Sequence, residues 1–203
     1  PSQQIVVEKP TAANLWGFGG RDWVAGVLDP AQIAGPNYFG NTAHKEGDMV
    51  TFVQEKFGAE ALAALDDAGR NELKEKTKKV TYALAAEAGQ LREQFPSEWI
   101  AEGRDAIVNT FACTDCHKFH DDGALGSAPD LTGWGSREWL IGIISNPEHE
   151  RFYPSTNDRM PAFAKNPNDP AANRLSPNEL SLLVNWLRRE WYEPQADINP
   201  PAP

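Results

Sequence analysis

Cysteine and methionine are scarce in this sequence, with only two of each in 203 residues. The cysteines, Cys113 and Cys116, stand three apart, which excludes a disulfide framework and points to chemistry local to that pair. Basic residues are the minority, 19 against 29 acidic, for a formal charge of −10. A field of that sign disfavours nucleic acid and anionic membrane surfaces and steers basic partners. The deficit is uneven. Before Pro96 there are 10 basic and 13 acidic residues (10 − 13 = −3), and from there on 9 and 16 (9 − 16 = −7). No run approaches the ~20 consecutive apolar residues of a membrane-crossing helix. A basic, apolar leader is also missing, and the polar stretch from Pro1 reads as a mature or trimmed terminus. Nor is there a convincing alternation of strand type.

What is present is helical periodicity over a 40% hydrophobic, 10% aromatic composition, enough to bury a core. The length allows one large or two small domains. Leu73, Thr77, Val80, Leu84, Ala88, Leu91 and Phe95 trace one helix face, with Asp66 and Asp67 as start signals and Pro96 as the stop. Ser97 is placed to cap a second helix, whose face of Ile100, Gly103, Ile107 and Phe111 leads into Cys113. Ser176-Pro177-Asn178-Glu179 reads as a capping box with proline at the first helical position. Leu180, Leu183, Val184, Leu187 and Trp191 come next on one apolar face. The proline-rich tail, residues 194–203, is expected to be loose.

A repeat organises the chain. Asn14-Leu15-Trp16-Gly17-Phe18-Gly19-Gly20-Arg21-Asp22-Trp23 parallels Asp130-Leu131-Thr132-Gly133-Trp134-Gly135-Ser136-Arg137-Glu138-Trp139. Gly26 then matches Gly142, Pro30 matches Pro147, and Met49-Val50-Thr51-Phe52 parallels Met160-Pro161-Ala162-Phe163. The expected organisation is two related all-α halves, residues 1–96 and 97–193, and then the tail.

Cys113-Thr114-Asp115-Cys116-His117 is a C-x-x-C-H string, the attachment signature of c-type haem. Two intervening residues let both thiols reach the two vinyl groups of one haem, and the next residue projects its imidazole beneath the ring. Competing readings are a zinc site using Cys113, Cys116 and His120, which lacks a second ligand pair at a plausible spacing, and a dithiol redox pair, which lacks its β-α-β context.

With its surroundings, this string resembles a class I cytochrome c domain over about residues 97–193. The likeness is carried by a helix entering C-x-x-C-H, the Ala128-Pro129-Asp130-Leu131-Thr132-Gly133 stretch, Asp158-Arg159-Met160-Pro161-Ala162-Phe163, and a final helix from Pro177. The resemblance implies a cytochrome c fold and one covalent haem c with His117 and Met160 as its two axial ligands. It implies that Pro129 offers its carbonyl to the other ring nitrogen of His117, and that Gly103 lies where the first helix of the domain crosses the last. Trp134 and Trp139 are candidates to pack on the ring, and Arg137 and Arg159 to pair with its propionates. Core packing for the tryptophans and solvated positions for the arginines compete with those roles. Among other sixth ligands, His120 is too close to His117 to reach the opposite face. His149 and His44 read as surface residues, and Met49 as belonging to its own half.

The first half has no C-x-x-C-H. His117 precedes Asp130 by 13 residues, and the same distance before Asn14 falls at Pro1. Any matching string would fall at or before Pro1, so the half reads either as a degenerate cytochrome c-like repeat that lost its haem or as one whose attachment segment was cut away. On either reading residues 1–96 are expected to be a haem-less helical extension packed on the second half. Together with Tyr38-Phe39-Gly40-Asn41-Thr42, the glycine-tryptophan segment and methionine loop resemble cytochrome c regions attached to bacterial quinol–cytochrome c reductases. That likeness implies an electron carrier rather than an enzyme, a location outside the cytoplasmic membrane, and redox partners such as a membrane cytochrome b complex or an oxidase. It further implies a domain excised from a membrane-bound parent. A haem enzyme or gas sensor with an open distal site is the alternative.

Overall fold

The computed structural model describes residues 11–90, 94–126 and 128–190. The proposed tail, Trp191 and Leu91 lie outside these. The described chain is all-α. Its helices are α1 (Arg21–Val27), α2 (Asp48–Phe57), α3 (Ala59–Ala63), α4 (Asp67–Ala88), α5 (Ser97–Asp105), α6 (Arg137–Ser145) and α7 (Pro177–Leu187). Among the described residues, extended pairing is limited to one bridge, Phe119 with Asp122. None of the described helices is long and apolar enough to cross a membrane.

Local chemistry explains most boundaries. The Asp66 carboxylate caps α4 by accepting from the Gly69 amide, and Ser176 and Glu179 close the expected capping box at the start of α7. Two boundaries differ from expectation. α4 stops at Ala88, not at Pro96, because Gly89 takes a left-handed conformation (φ 60°) that ends the helix. Phe95 still stacks on Tyr82 of α4, at 4.8 Å between ring centres, so the periodic spacing reflected packing rather than helix. Ser97 is the first residue of α5, and Pro96, which makes no side-chain cap, takes the capping position. α5 runs on through a π-turn, Ala106–Thr110, that delivers Phe111 into the core and the chain to Cys113.

The sequence repeat is also a repeat in space. Trp23 donates its indole N–H to the Asn14 carbonyl (2.7 Å), as Trp139 does to Asp130 (2.8 Å). The side-chain oxygens of Asn14 and Asp130 each cap the amide two residues on, at 3.0 and 2.8 Å. Gly17 and Gly133, and Gly19 and Gly135, have positive φ in both copies. The copies then pack on each other reciprocally. Phe18 meets Trp139 (5.5 Å) while Trp134 meets Trp23 (5.6 Å). A Cβ on Gly135 would stand 2.7 Å from the Gly19 Cα, so only paired glycines allow this approach. The match weakens at the methionines: Met49 lies in the first turn of α2, whereas Met160 lies in an irregular segment.

α5 crosses α4 so closely that a Cβ on Gly103 would stand 2.1 Å from the Lys79 carbonyl oxygen. Gly103 therefore does meet a helix backbone, but that of α4, not the last helix as the resemblance implied. α7 is held elsewhere. Its Leu187 carbonyl accepts from the Gly17 amide (3.0 Å), and Arg137 of α6 reaches Ser181 and Asn185.

Candidate functional site

The chain between α5 and α6 builds the site. Ala112, left-handed at φ 51°, turns the chain out of the π-turn and into a 3-10 turn, Cys113–Asp115. The Cys113 carbonyl accepts from the amides of both Cys116 (3.2 Å) and His117 (2.9 Å), so the string is one wound turn rather than a loose loop. Cys113 is half-buried and Cys116 exposed, both as thiols. Burial, with smaller contributions from Cys116 and Asp115, pushes the Cys113 thiol up to about 11.

The segment around Pro129 holds the His117 ring. The imidazole Nδ1 lies 2.7 Å from the Pro129 carbonyl oxygen, the contact the resemblance implied. As donor, that nitrogen sets the tautomer and leaves Nε2 with its lone pair. Burial holds the imidazole below its usual basicity, with the Pro129 bond opposing. Pro129 is positioned in turn, because the next residue, Asp130, donates its amide to Arg151 O (2.8 Å) and its buried carboxylate accepts from Arg151 Nε (2.9 Å). Gly123, at φ 72°, lies over the turn, and a Cβ there would stand 2.2 Å from the His117 carbonyl oxygen.

The zinc reading loses its third ligand. His120 turns its Nε2 to Glu87 of α4 (2.9 Å), and among the described residues no three of His, Cys, Asp and Glu converge as a metal cluster. Two thiols and one oriented, unprotonated nitrogen on a single turn fit covalent haem c by their donor chemistry.

Met160 is half-buried against the core. Its loop is pinned on both sides: Asn157 donates to the Met160 carbonyl (3.0 Å), and the Phe163 and Ala164 amides donate to Ile144 and Ser145 at the end of α6. The first half reaches this loop. The Ala43 amide donates to Asp158 (3.0 Å), and His44 stacks on Tyr153 at 5.9 Å, so His44 is half-buried rather than on the surface.

Of the other candidates, Trp134 and Trp139 lie buried in the aromatic contact between the repeat copies. Arg137 is committed to α7, and Arg159 is exposed and paired with Asp158 (2.8 Å). Sequence reasoning missed two supports. Arg151 ties Asp130 and Thr132 together behind Pro129. Glu87, with a side chain 5% exposed, gathers Arg104, His120 and the Gly133 amide. Only their acidic and basic residue types signalled them. A cavity of about 260 Å³ lies between the halves, lined by residues such as Asn14, Trp23 and Arg189, and one of about 350 Å³ lies on the first half, lined by residues such as Leu28, Phe57 and Thr77. Neither is lined by the site residues. No protein-family model matches this chain, and neither does any curated protein or solved structure.

Proposed function

We propose that the chain is a monohaem c-type cytochrome of class I type, a one-electron carrier. The observation that carries the reading is the bond from His117 Nδ1 to Pro129 O at the end of a wound C-x-x-C-H turn. A histidine beside a dithiol pair has no need of that orientation, and a zinc ion, whose histidine ligands do use it, would lack the further ligands among the described residues. For an axial ligand, the bond fixes the ring and raises the basicity of the opposite nitrogen.

Cys113 and Cys116 would hold the haem through thioethers, with His117 and Met160 as ligands. When bound, the haem iron supplies the one-electron couple, and a His–Met pair sets its potential higher than nitrogen ligands alone. The chain contributes rigidity. Pro129, backed by Asp130 and Arg151, keeps the imidazole from turning, and the pinned 157–164 segment keeps the thioether in place. Ligands that do not move between redox states leave little reorganisation to accompany each electron. With His117 and Met160 both engaged, the haem would have no ready place for substrate, which suits a carrier better than a catalyst.

By the same resemblance the protein serves a respiratory chain outside the cytoplasmic membrane, between a quinol-oxidising cytochrome b complex and a soluble carrier or oxidase. Carbon monoxide addition to the reduced protein tests the reading. Slow or weak binding is expected, and immediate stoichiometric binding would favour a sensor or haem enzyme.

A further inference from the structure

The two sides of the loop from His117 to Gly133 are laced together. His117 Nδ1 bonds the Pro129 carbonyl (2.7 Å), the Leu131 amide donates to the Lys118 carbonyl (2.8 Å), and the His120 amide donates to the Thr132 hydroxyl (2.7 Å). Glu87 of α4 closes the open end of this ladder. One carboxylate oxygen meets His120 Nε2 and the other accepts from the Gly133 amide, both at 2.9 Å, so the side chain joins one side of the loop to the other. His120 is held there at φ 52°, a left-handed conformation uncommon outside glycine. Stability alone gives little reason for a carboxylate in the last turn of α4, where it opposes the helix dipole and is nearly out of water.

The Met160 side is braced from a different part of the first half. The Thr42 carbonyl accepts from the Lys45 amide (3.3 Å). The Thr42 hydroxyl donates to the Phe39 carbonyl (2.8 Å) and accepts from the His44 amide (3.1 Å), so residues 42–45 form a fixed turn. From that turn the Ala43 amide donates to Asp158, two residues before Met160, and the His44 ring stacks on Tyr153. The half without an attachment string thus grips both segments that carry the proposed axial ligands.

We propose that the first half is a clamp on the axial ligands, in which Glu87 is a positioning residue for His117 and the 42–45 turn positions Met160. The redox consequence rests on the function proposed above, whereas the grip on the two segments does not. The two arms act with opposite signs. Without Glu87 the ladder slackens at its closed end, and the bond from His117 to Pro129 weakens with it. The imidazole then gives less electron density to the iron, the oxidised state is less favoured, and the potential rises. Without the Ala43 tie the thioether is free to leave, external ligands enter, and the potential falls.

Variants of the full chain, matured in a host competent for c-type haem, test the clamp. Glu87→Ala should raise the reduction potential and keep the ferric sulfur-to-iron band. Glu87→Gln, which retains an acceptor for the Gly133 amide, should shift the potential less. Ala43→Pro removes only the donor, because position 43 is second in its turn and Thr42 before it is extended, as proline requires. It should weaken the sulfur-to-iron band and speed carbon monoxide binding, with the amides of residues 157–164 exchanging about tenfold faster. Val53→Ala loosens the buried core of the same half but belongs to neither arm, and should move neither the potential nor the band. An unchanged or lower potential in Glu87→Ala would overturn the proposal. So would carbon monoxide binding and exchange at the parent rates in Ala43→Pro, or the same shifts in Val53→Ala. Colourless protein refutes the haem reading alone. Exchange over residues 117–133 in Glu87→Ala and 157–164 in Ala43→Pro still reports on the grip, and rates equal to the parent's would overturn it.

Discussion

Gly103→Ala probes the crossing that aims the haem-binding turn. The added methyl would lie 2.1 Å from the Lys79 carbonyl oxygen, 2.6 Å from its carbon and 2.8 Å from the Ala83 Cβ. Ordinary contact begins near 3.4 Å, so the shortest approach is 1.3 Å too close (3.4 − 2.1), and the obstacle is helix backbone that cannot rotate away. Because the clash is with backbone, the overpacking cost falls in the upper part of the usual range, about 2–3 kcal/mol. Alanine returns up to about 1 kcal/mol of helix propensity, leaving a net loss of about 1–2 kcal/mol. For a chain of this size the melting temperature should fall by roughly 2–8 °C. Because α5 leads through the π-turn to Cys113, parting the helices also shifts the turn, so the axial-ligand absorption bands should broaden or move. Thermal melts tracked both by far-UV dichroism and at the haem band would read the two effects together. A variant as stable as the parent would show that α5 does not cross α4 backbone to backbone, and with it would go the placement of the turn.

Met160→Ala should lower the reduction potential and let cyanide or carbon monoxide bind at once, as titration would show; retention of the ferric sulfur-to-iron absorption band would exclude Met160 as the ligand. Cys116→Ala should leave haem joined by one thioether, seen as a changed reduced-band maximum in alkaline pyridine, and an unchanged spectrum would deny the cysteine that role. Glu87 is pushed up by burial, but the Gly133 amide, His120 and Arg104 outweigh this and hold its pKa below 4.5. A depressed folded-state value means that its stabilisation is fully present above the unfolded value and is lost as pH falls through the lower folded one. Glu87→Gln should therefore cost about 1–2 kcal/mol at neutral pH and flatten the acid limb of the stability curve, and an unaltered limb would contradict this. Arg188 is buried and donates to the Ala88 and Gly135 carbonyls, both at 2.7 Å, and to Glu190. Arg188→Ala should cost about 3–5 kcal/mol in denaturant melts, and a loss under 1 kcal/mol would remove it from the joint between the halves.

Features carried by neighbouring residues could be read directly in the sequence. The capping box at Ser176, the Asp66 cap and the C-x-x-C-H turn each need only a few adjacent side chains. The repeat was legible because its glycines and tryptophans do the same work twice, as the matched indole bonds of Trp23 and Trp139 show. Tertiary pairing was less accessible. Phe95 continued the periodicity of α4 because it packs on Tyr82, and a left-handed Gly89 that ends the helix looks in sequence like any glycine. Gly103 signalled a close helix crossing without naming the partner, since α4 and α7 both carry apolar faces. Glu87 reaches Gly133 across 46 residues, and Asp130 reaches Arg151 across 21, distances at which single charges carry no pattern.

Cys113, Cys116 and His117 together hold one haem in the function proposed for this chain. The direct measurement is a haemochrome count on the purified 203-residue chain from a host competent in c-type maturation, after extraction with acidified acetone. One haem per chain, remaining with the protein, is the result predicted. Colourless protein, or zinc bound stoichiometrically at Cys113 and Cys116, would contradict it.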